Sequence, residues 1–274
     1  MPELPEAETI GKALDLAMSG KKIEKVEVFS PKMRTSLLVL PDAGLVGKTI
    51  LSVRRRGRYL AAFLDDQRCL LMHFGMSGVV RIESGDVPRR KHEHIFIHLS
   101  DGNIFKFECP RRFSLLEVHT LKSPDTFPEA LDHLGVEPLS DDFDGPYLFE
   151  KSRSRKLTVK QLLMDNSVVT GIGNIYATEI LFASKTDPRK AAASLTMKNC
   201  TEIVKNSKKI LLKAIECGGT TISDFRHVDG SEGKFVLNLK IYGKSGERCP
   251  ECSAVLQSIS LGGRNSCFCP ECQK

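Results

Sequence analysis

Cys249-Pro250-Glu251-Cys252 and Cys269-Pro270-Glu271-Cys272 constrain this chain more than any other stretch. Two CxxC pairs with sixteen residues between them bring four thiolates within reach of one tetrahedral ion, the pattern of a closed structural Zn²⁺ site. With Cys249, Cys252, Cys269 and Cys272 filling all four positions, none is left open for metal catalysis. A redox reading wants one pair in a βαβ setting, and this chain has two pairs and no such setting. Cys267 is taken as a spectator. The five cysteines outside the pairs are scattered, as suits thiols in a reducing compartment rather than a disulfide framework. Between the pairs, Leu261-Gly262-Gly263-Arg264-Asn265-Ser266 reads as a hairpin turn carrying an arginine.

The 274 residues leave room for two further domains. Residues 6–19 read as a helix with Ile10, Ala13, Leu14, Ala17 and Met18 on one face, Pro5 in its first turn and Gly20 as its stop. Eight short strands follow, at 22–29, 49–55, 58–64, 69–73, 78–83, 94–99, 103–108 and 113–119, which suggests a β-sandwich or a barrel. Residues 131–150, rich in Pro, Asp and Gly, read as an interdomain linker. Helical periodicity then marks 157–166, 174–184, 195–216 and 220–225. The fold class is therefore α+β and multidomain. The domains are expected at 1–130, 151–235 and, for the zinc finger, 236–274.

No apolar run is long enough to span a membrane and no signal peptide is visible, so an intracellular home is the default expectation. A monomer is the default. The net charge of +6 permits a nucleic-acid partner, and the clustering of the basic residues says more. Arg54, Arg55, Arg56 and Arg58 form one group, Arg89, Arg90 and Lys91 a second, and Arg111 with Arg112 a third. Lys151, Arg153, Arg155, Lys156 and Lys160 make a fourth. One such group is usually a solvated face; four together fit a groove that follows a phosphate backbone.

The chemistry points to the first residues, Met1-Pro2-Glu3-Leu4-Pro5-Glu6-Ala7-Glu8. Removal of Met1 frees a secondary amine on Pro2. An α-amino group titrates near 8, about two units below lysine, so more of it is unprotonated at neutral pH. Amines form Schiff bases with carbonyl carbons, and nearby carboxylates such as Glu3 and Glu6 can carry the protons. Elsewhere, His73-Phe74-Gly75-Met76-Ser77-Gly78 fits either a core methionine beside a turn or a loop presenting Met76. Cys109-Pro110-Arg111-Arg112-Phe113 offers charge for phosphates and a flat ring for stacking. Gly171-Ile172-Gly173-Asn174 permits a sharp turn into a helix whose N-terminus can face phosphate, though a plain helical hairpin has the same letters.

Taken together, these stretches resemble the formamidopyrimidine-DNA glycosylase and endonuclease VIII family, whose members begin PELPE and carry HxGMSG, DPRRFG, LMDxxxxxGxGNIYxxE, GGTT and a C-terminal zinc finger in that order. The zinc-binding ribbon favours the formamidopyrimidine-DNA glycosylase branch. The resemblance runs from Pro2 to Lys274. It implies a helix-led β-sandwich, a helix–two-turn–helix domain and a zinc finger, with double-stranded damaged DNA held in the cleft between domains. It implies Pro2 as nucleophile, with Glu3 managing protons. Glu6 and Glu179 would hold the nucleophile region and the helical turn in place.

DNA-binding roles carry over to Met76, Arg111 and Phe113, which fill the gap left by an extruded base. His73, Lys160, Asn174 and Arg264 join them on the backbone, Arg264 standing five residues before its third Cys, as in the family. The loop 224–235 corresponds to one that covers the flipped base. Implied is a bifunctional glycosylase and abasic-site lyase, cytoplasmic, bacterial in type and associated with the nucleoid. It excises oxidised bases of the 8-oxoguanine and formamidopyrimidine type and cuts the strand by β,δ-elimination, with no organic cofactor.

Three letters depart from the pattern. Cys109 and Ser114 replace the usual Asp and Gly, which touches loop detail. Arg58 stands where RRxGKYL has a lysine needed for excision, and arginine keeps the charge but not the shape or the proton chemistry. The alternative is accordingly a protein that binds damaged or abasic DNA with lyase activity only, or with none. A zinc-ribbon RNA-binding protein would explain the cysteine pairs but not the terminal Pro-Glu string.

Overall fold

The computed structural model describes the whole chain except residues 36, 38–39, 41–42, 86–87, 154 and 221–234 and the side chains of Val236 and Leu237. The chain forms two compact units, Met1–Asp132 with Gly218–Lys234, and His133–Cys217 with Phe235–Lys274. No helix among the described residues is long and apolar enough to cross a membrane.

The first unit begins with α1, Leu4–Met18. Its buried face carries Leu4, Ala7, Ile10, Leu14 and Met18. Gly20, at φ +77°, takes the left-handed position that ends a helix without a Cβ clash. Eight strands follow: β1 Ile23–Val28, β2 Ile50–Arg56, β3 Tyr59–Leu64, β4 Arg68–His73, β5 Val79–Ser84, β6 Glu93–Leu99, β7 Asn103–Glu108 and β8 Leu115–Thr120. They pair as two four-stranded sheets, β1-β6-β7-β5 and β2-β3-β4-β8. Ile23, Ile95, Phe105 and Val80 from one sheet and Val53, Leu60, Leu70 and Leu116 from the other share a single core with α1. Two sheets closing on one apolar layer make a sandwich, which decides between the two architectures left open above.

The second unit is helical: α2 Gly145–Arg153, α3 Val159–Met164, α4 Asn174–Ala183 and α5 Met197–Glu216. Reciprocal capping boxes start two of them. Thr158 accepts from the Gln161 N–H while Gln161 Oε1 takes the Thr158 N–H at 3.0 Å, and Thr196 and Asn199 repeat the device. These caps place the helix starts slightly inside the periodicity read from sequence. The stretch 131–150, expected as a linker, contributes Phe143 and Leu148 to the core of this unit. A Cβ on Gly145 would collide with the Thr201 side chain, so the absence of a side chain there lets α2 approach α5. The expected helix at 220–225 lies outside the described residues but for Thr220.

The C-terminal hairpin, β9 Gln257–Leu261 and β10 Arg264–Phe268, belongs to the same unit. One buried carboxylate holds the approach to it. Glu179 on α4 is 4 % exposed and accepts three successive backbone N–H groups, from Lys240 at 2.9 Å, Ile241 at 3.0 Å and Tyr242 at 2.8 Å. Glu179→Ala would leave those donors unpaired and cost roughly 3 kcal/mol. The expected result is a lower urea midpoint and faster hydrogen exchange at 240–242, with α1 and the sandwich unaffected; unchanged exchange there would contradict it.

Candidate active site, nucleic-acid interface and metal centre

In the first unit the chain terminus is held rather than frayed. Pro2 is buried and Met1 is exposed ahead of it. Glu6, 2 % exposed, explains much of this: Oε2 accepts the Glu3 N–H at 2.9 Å and Oε1 accepts the Thr220 N–H at 2.7 Å. One carboxylate thus ties the residue after Pro2 to the turn that opens 218–234. Gly219, at φ +78°, rests against Glu6, and a Cβ there would press on its carboxylate. Thr221 and the 224–235 loop, apart from Phe235, lie outside the described residues.

Arg58 sits at the tip of the β2–β3 hairpin. Arg56 pairs with Tyr59, leaving Gly57-Arg58 as a two-residue turn with Gly57 at φ +59°. A positive φ at the first turn position is what glycine supplies there. The guanidinium reaches Met1, with Nη1 4.0 Å from its sulfur. The His73 ring lies against Tyr59, with centroids 4.7 Å apart and planes tilted by 41°. His73 Nδ1 accepts the Gly75 N–H at 3.2 Å, so the neutral ring carries its proton on Nε2. Burial, with help from the charges of Arg58, Arg34 and the N-terminus, pushes the His73 imidazole down to about 4. Arg34 was not singled out from sequence. It stands alone there, and only its influence on His73 brings it into the group.

Met76, Arg111 and Phe113 come together on two neighbouring loops. Met76 is 47 % and Phe113 57 % exposed, large apolar side chains turned outward. The Arg111 guanidinium lies beside both, against the Met76 sulfur and 5.8 Å from the Phe113 ring centre. Other basic residues are absorbed by the fold. Arg54 covers the Phe63 ring at 3.7 Å, and Arg55 pairs with Glu8 at 2.6 Å. Arg89 covers Phe29 and Arg90 pairs with Glu83 at 2.8 Å. Arg153 donates to the Leu195 carbonyl and Arg155 pairs with Asp165. The basic clusters expected to line a groove thus have partners within the protein as well, some remote in sequence, such as Glu8 for Arg55 and Leu195 for Arg153.

In the second unit, Gly173 caps α4 and Asn174 is its first residue. Asn174 Oδ1 is buried with no hydrogen-bond partner among the described residues. Lys160, expected among the DNA-binding residues, is 1 % exposed. Its Nζ donates to Thr178 Oγ1 at 3.0 Å, Ser266 Oγ at 2.8 Å and the Asn265 carbonyl at 3.3 Å. It therefore fastens β10 to α3 and α4 from inside. The hairpin turns through Gly262 and Gly263, at φ +55° and +71°, both positive as a two-residue turn of this hand requires. Arg264 follows, exposed, at the first position of β10.

Below it, the sulfurs of Cys249, Cys252, Cys269 and Cys272 all lie within 4.8 Å of one another. Cys249 and Cys272 are 3.9 Å apart and Cys252 and Cys269 3.4 Å. Four sulfurs at a Zn–S distance of 2.3 Å would stand about 3.8 Å apart, so the site fits one structural Zn²⁺. Cys267 is buried and outside the group.

Comparisons with known proteins agree with this anatomy. The family profile for the formamidopyrimidine-DNA glycosylase N-terminal domain matches residues 1–116, and that for the formamidopyrimidine-DNA glycosylase H2TH domain matches 134–226. The zinc finger found in FPG and IleRS matches 246–274. The chain is 42 % identical over 274 residues to formamidopyrimidine-DNA glycosylase of Hahella chejuensis and 42 % identical to that of Pseudomonas aeruginosa, covering all of each protein. It is similar to wild-type Lactococcus lactis Fpg in complex with an oxidized-pyrimidine-containing DNA. There the TM-score is 0.89 and the identity 34 %, with both chains covered in full. It is also similar to Lactococcus lactis Fpg with an abasic-site-containing DNA, at 0.88 and 33 % over 99 % of each chain.

The environment of His73 carries a pH dependence. Its folded pKa of about 4 lies below the ordinary imidazole value of about 6.5. Between those values the unfolded chain binds more protons, so stability rises with pH. The contribution is complete above about 6.5 and is lost as pH falls toward 4. A histidine titration by NMR should show His73 still neutral at pH 5, and His73→Gln should flatten the loss of stability between pH 7 and 5. A His73 ring titrating near 6.5 would contradict the assignment.

Proposed function

The chain belongs to the formamidopyrimidine-DNA glycosylase family, and from that premise we propose that Pro2, freed by removal of Met1, is the nucleophile with which it excises oxidised bases and cuts the strand. DNA glycosylase activity in DNA repair comes with membership. The finer assignment rests on one observation above others: the Glu6 carboxylate, bonded to the Glu3 and Thr220 N–H groups, holds a buried Pro2 in a defined place. The relatives' complexes with Fapy-dG-containing, oxidized-pyrimidine-containing and abasic-site-containing DNA support damaged duplex as substrate and oxidised bases as its class.

In this reading the damaged nucleotide leaves the stack, because C1′ cannot be attacked inside the duplex. Met76, Arg111 and Phe113 fill the gap. The Pro2 nitrogen attacks C1′ as the glycosidic C–N bond breaks, and the base departs with a proton that Glu3 helps to deliver. The aminal so formed opens as the C1′–O4′ bond breaks, the Pro2 nitrogen giving up its N–H proton while O4′ takes one up, and the resulting iminium withdraws electrons and acidifies the C2′ proton. Loss of that proton expels the 3′ phosphate, and a second elimination expels the 5′ phosphate. Arg34, Arg58 and the neutral His73 Nε2–H face the backbone phosphates in this account, as do Asn174 and Arg264. Lys160 acts through the hairpin that it holds, and Zn²⁺ through the placement of Arg264.

Arg58 keeps a second reading alive. A guanidinium can bind phosphate in a fork, but it does not give up its proton as a lysine can. A protein that binds damage, or cleaves only ready-made abasic sites, would result if the missing lysine were indispensable.

The two readings separate on a duplex with 8-oxoguanine opposite cytosine. Excision followed by phosphate at both ends of a one-nucleotide gap is expected. Pro2→Gly should abolish it, and Glu3→Gln should slow base release by about 10²-fold or more. Arg58→Lys should change base release more than cleavage at a preformed abasic site. Equal changes in the two reactions would contradict a role for Arg58 in excision.

A further inference from the structure

Two departures from the family pattern, Cys109 and Ser114, touch each other. Ser114 Oγ lies 2.9 Å from Cys109 Sγ and 2.7 Å from the Phe74 carbonyl oxygen. Both side chains are completely buried. A hydroxyl has one proton and two lone pairs. With its proton given to Phe74, Ser114 keeps a lone pair toward the thiol, which is a weak donor. The Phe74 carbonyl also accepts the Gly78 N–H at 2.8 Å, so both of its lone pairs are engaged across the Met76 loop.

The two loops meet almost backbone to backbone. A Cβ on Gly75 would collide with the Phe113 carbonyl, and one on Gly78 with Phe74 and with the Ser114 hydroxyl itself. Ser77 Oγ accepts the Arg111 N–H at 3.4 Å, and the Arg34 N–H reaches the Ser114 carbonyl at 3.0 Å. Between Cys109 and Ser114 the chain turns through Arg112, a non-glycine residue at φ +56°. That conformation costs energy and persists where its surroundings over-determine it.

We propose that Ser114, backed by Cys109, is a positioning residue that clamps the Met76 loop to the Arg111–Phe113 loop, so that the three exposed side chains enter the duplex as one rigid wedge. This deepens the reading above and rests on it. A glycine at 114 offers no hydroxyl. In this chain the sulfur and the hydroxyl form a join of their own, inside the protein, without touching DNA. A pre-assembled wedge loses less conformational freedom on insertion than two loops ordered separately.

The first test uses the protein alone. Hydrogen exchange is compared for wild type and Ser114→Ala in peptides covering 74–78 and 109–114. The clamp predicts that both speed up together, by about fivefold, the worth of one net hydrogen bond, while β6 and β7 are unchanged. Cys109→Ala keeps the bond to Phe74 and should have a smaller effect on the same two peptides. Faster exchange confined to 109–114, or no change at all, overturns the clamp.

The second test reads insertion, on a duplex with 2-aminopurine opposite a tetrahydrofuran abasic analogue. The losses caused by Met76→Ala and Phe113→Ala should be non-additive in the wild-type background and additive in Ser114→Ala, as for contacts made by one body and then by two. Coupling that is indifferent to Ser114 overturns the positioning role, whatever the exchange shows. If neither Met76→Ala nor Phe113→Ala alters the fluorescence, the wedge assignment itself fails, and the positioning role fails with it; the exchange result still judges the clamp separately.

Discussion

A chain terminus is the part of a protein least able to hold a reactive atom still, because its first residues usually fray. In the proposed mechanism Pro2 carries that atom, and one buried carboxylate meets the difficulty. Glu6 accepts the Glu3 N–H with one oxygen and the Thr220 N–H with the other. It is anchored in turn by α1, whose Leu4 and Ala7 are buried and whose Ile10, Leu14 and Met18 pack into the sandwich core. An N-terminal amine becomes useful as a nucleophile only when its position is set to within a fraction of an ångström, and packing of its supports achieves this. Much of the first unit can be understood as the frame for that placement.

Charge is handled in two ways. Arg54, Arg55, Arg90 and Arg155 are bound to rings or carboxylates of the protein and shape the fold. Arg34 and Arg58 instead gather around His73 and the N-terminus, where their charges help to keep the imidazole neutral. In the second unit, Lys160 spends its charge internally on Thr178, Ser266 and Asn265, while Arg264 is exposed at the hairpin tip.

What the sequence revealed followed the range of the interactions involved. The zinc site was legible because its ligands come in local pairs of fixed spacing. The eight strands and α1 were legible from periodicity, although Arg58, expected to open the third strand, lies in the turn before it. Whether the strands form a sandwich or a barrel was not legible, since strand order depends on pairings such as β1 with β6, far apart in the chain. The protein partners of the basic residues were not legible for the same reason. Arg55 finds Glu8 forty-seven positions away and Lys160 finds Ser266 a hundred and six away. Turn-forming letters at 131–150 concealed the extent of α2 and the burial of Phe143 and Leu148 in the core, because Pro, Asp and Gly also cap and start helices. The contact between Cys109 and Ser114 was visible only as two unexplained departures until the loops were seen together.

The most direct measurement is borohydride trapping with mass spectrometry. The purified protein is first checked for removal of Met1, then mixed with duplexes carrying 8-oxoguanine opposite cytosine or a plain abasic site. The account predicts a covalent adduct at the N-terminal peptide on both duplexes, lost in Pro2→Gly. Absence of an adduct on either duplex, with Met1 removed and the DNA still bound, would contradict it.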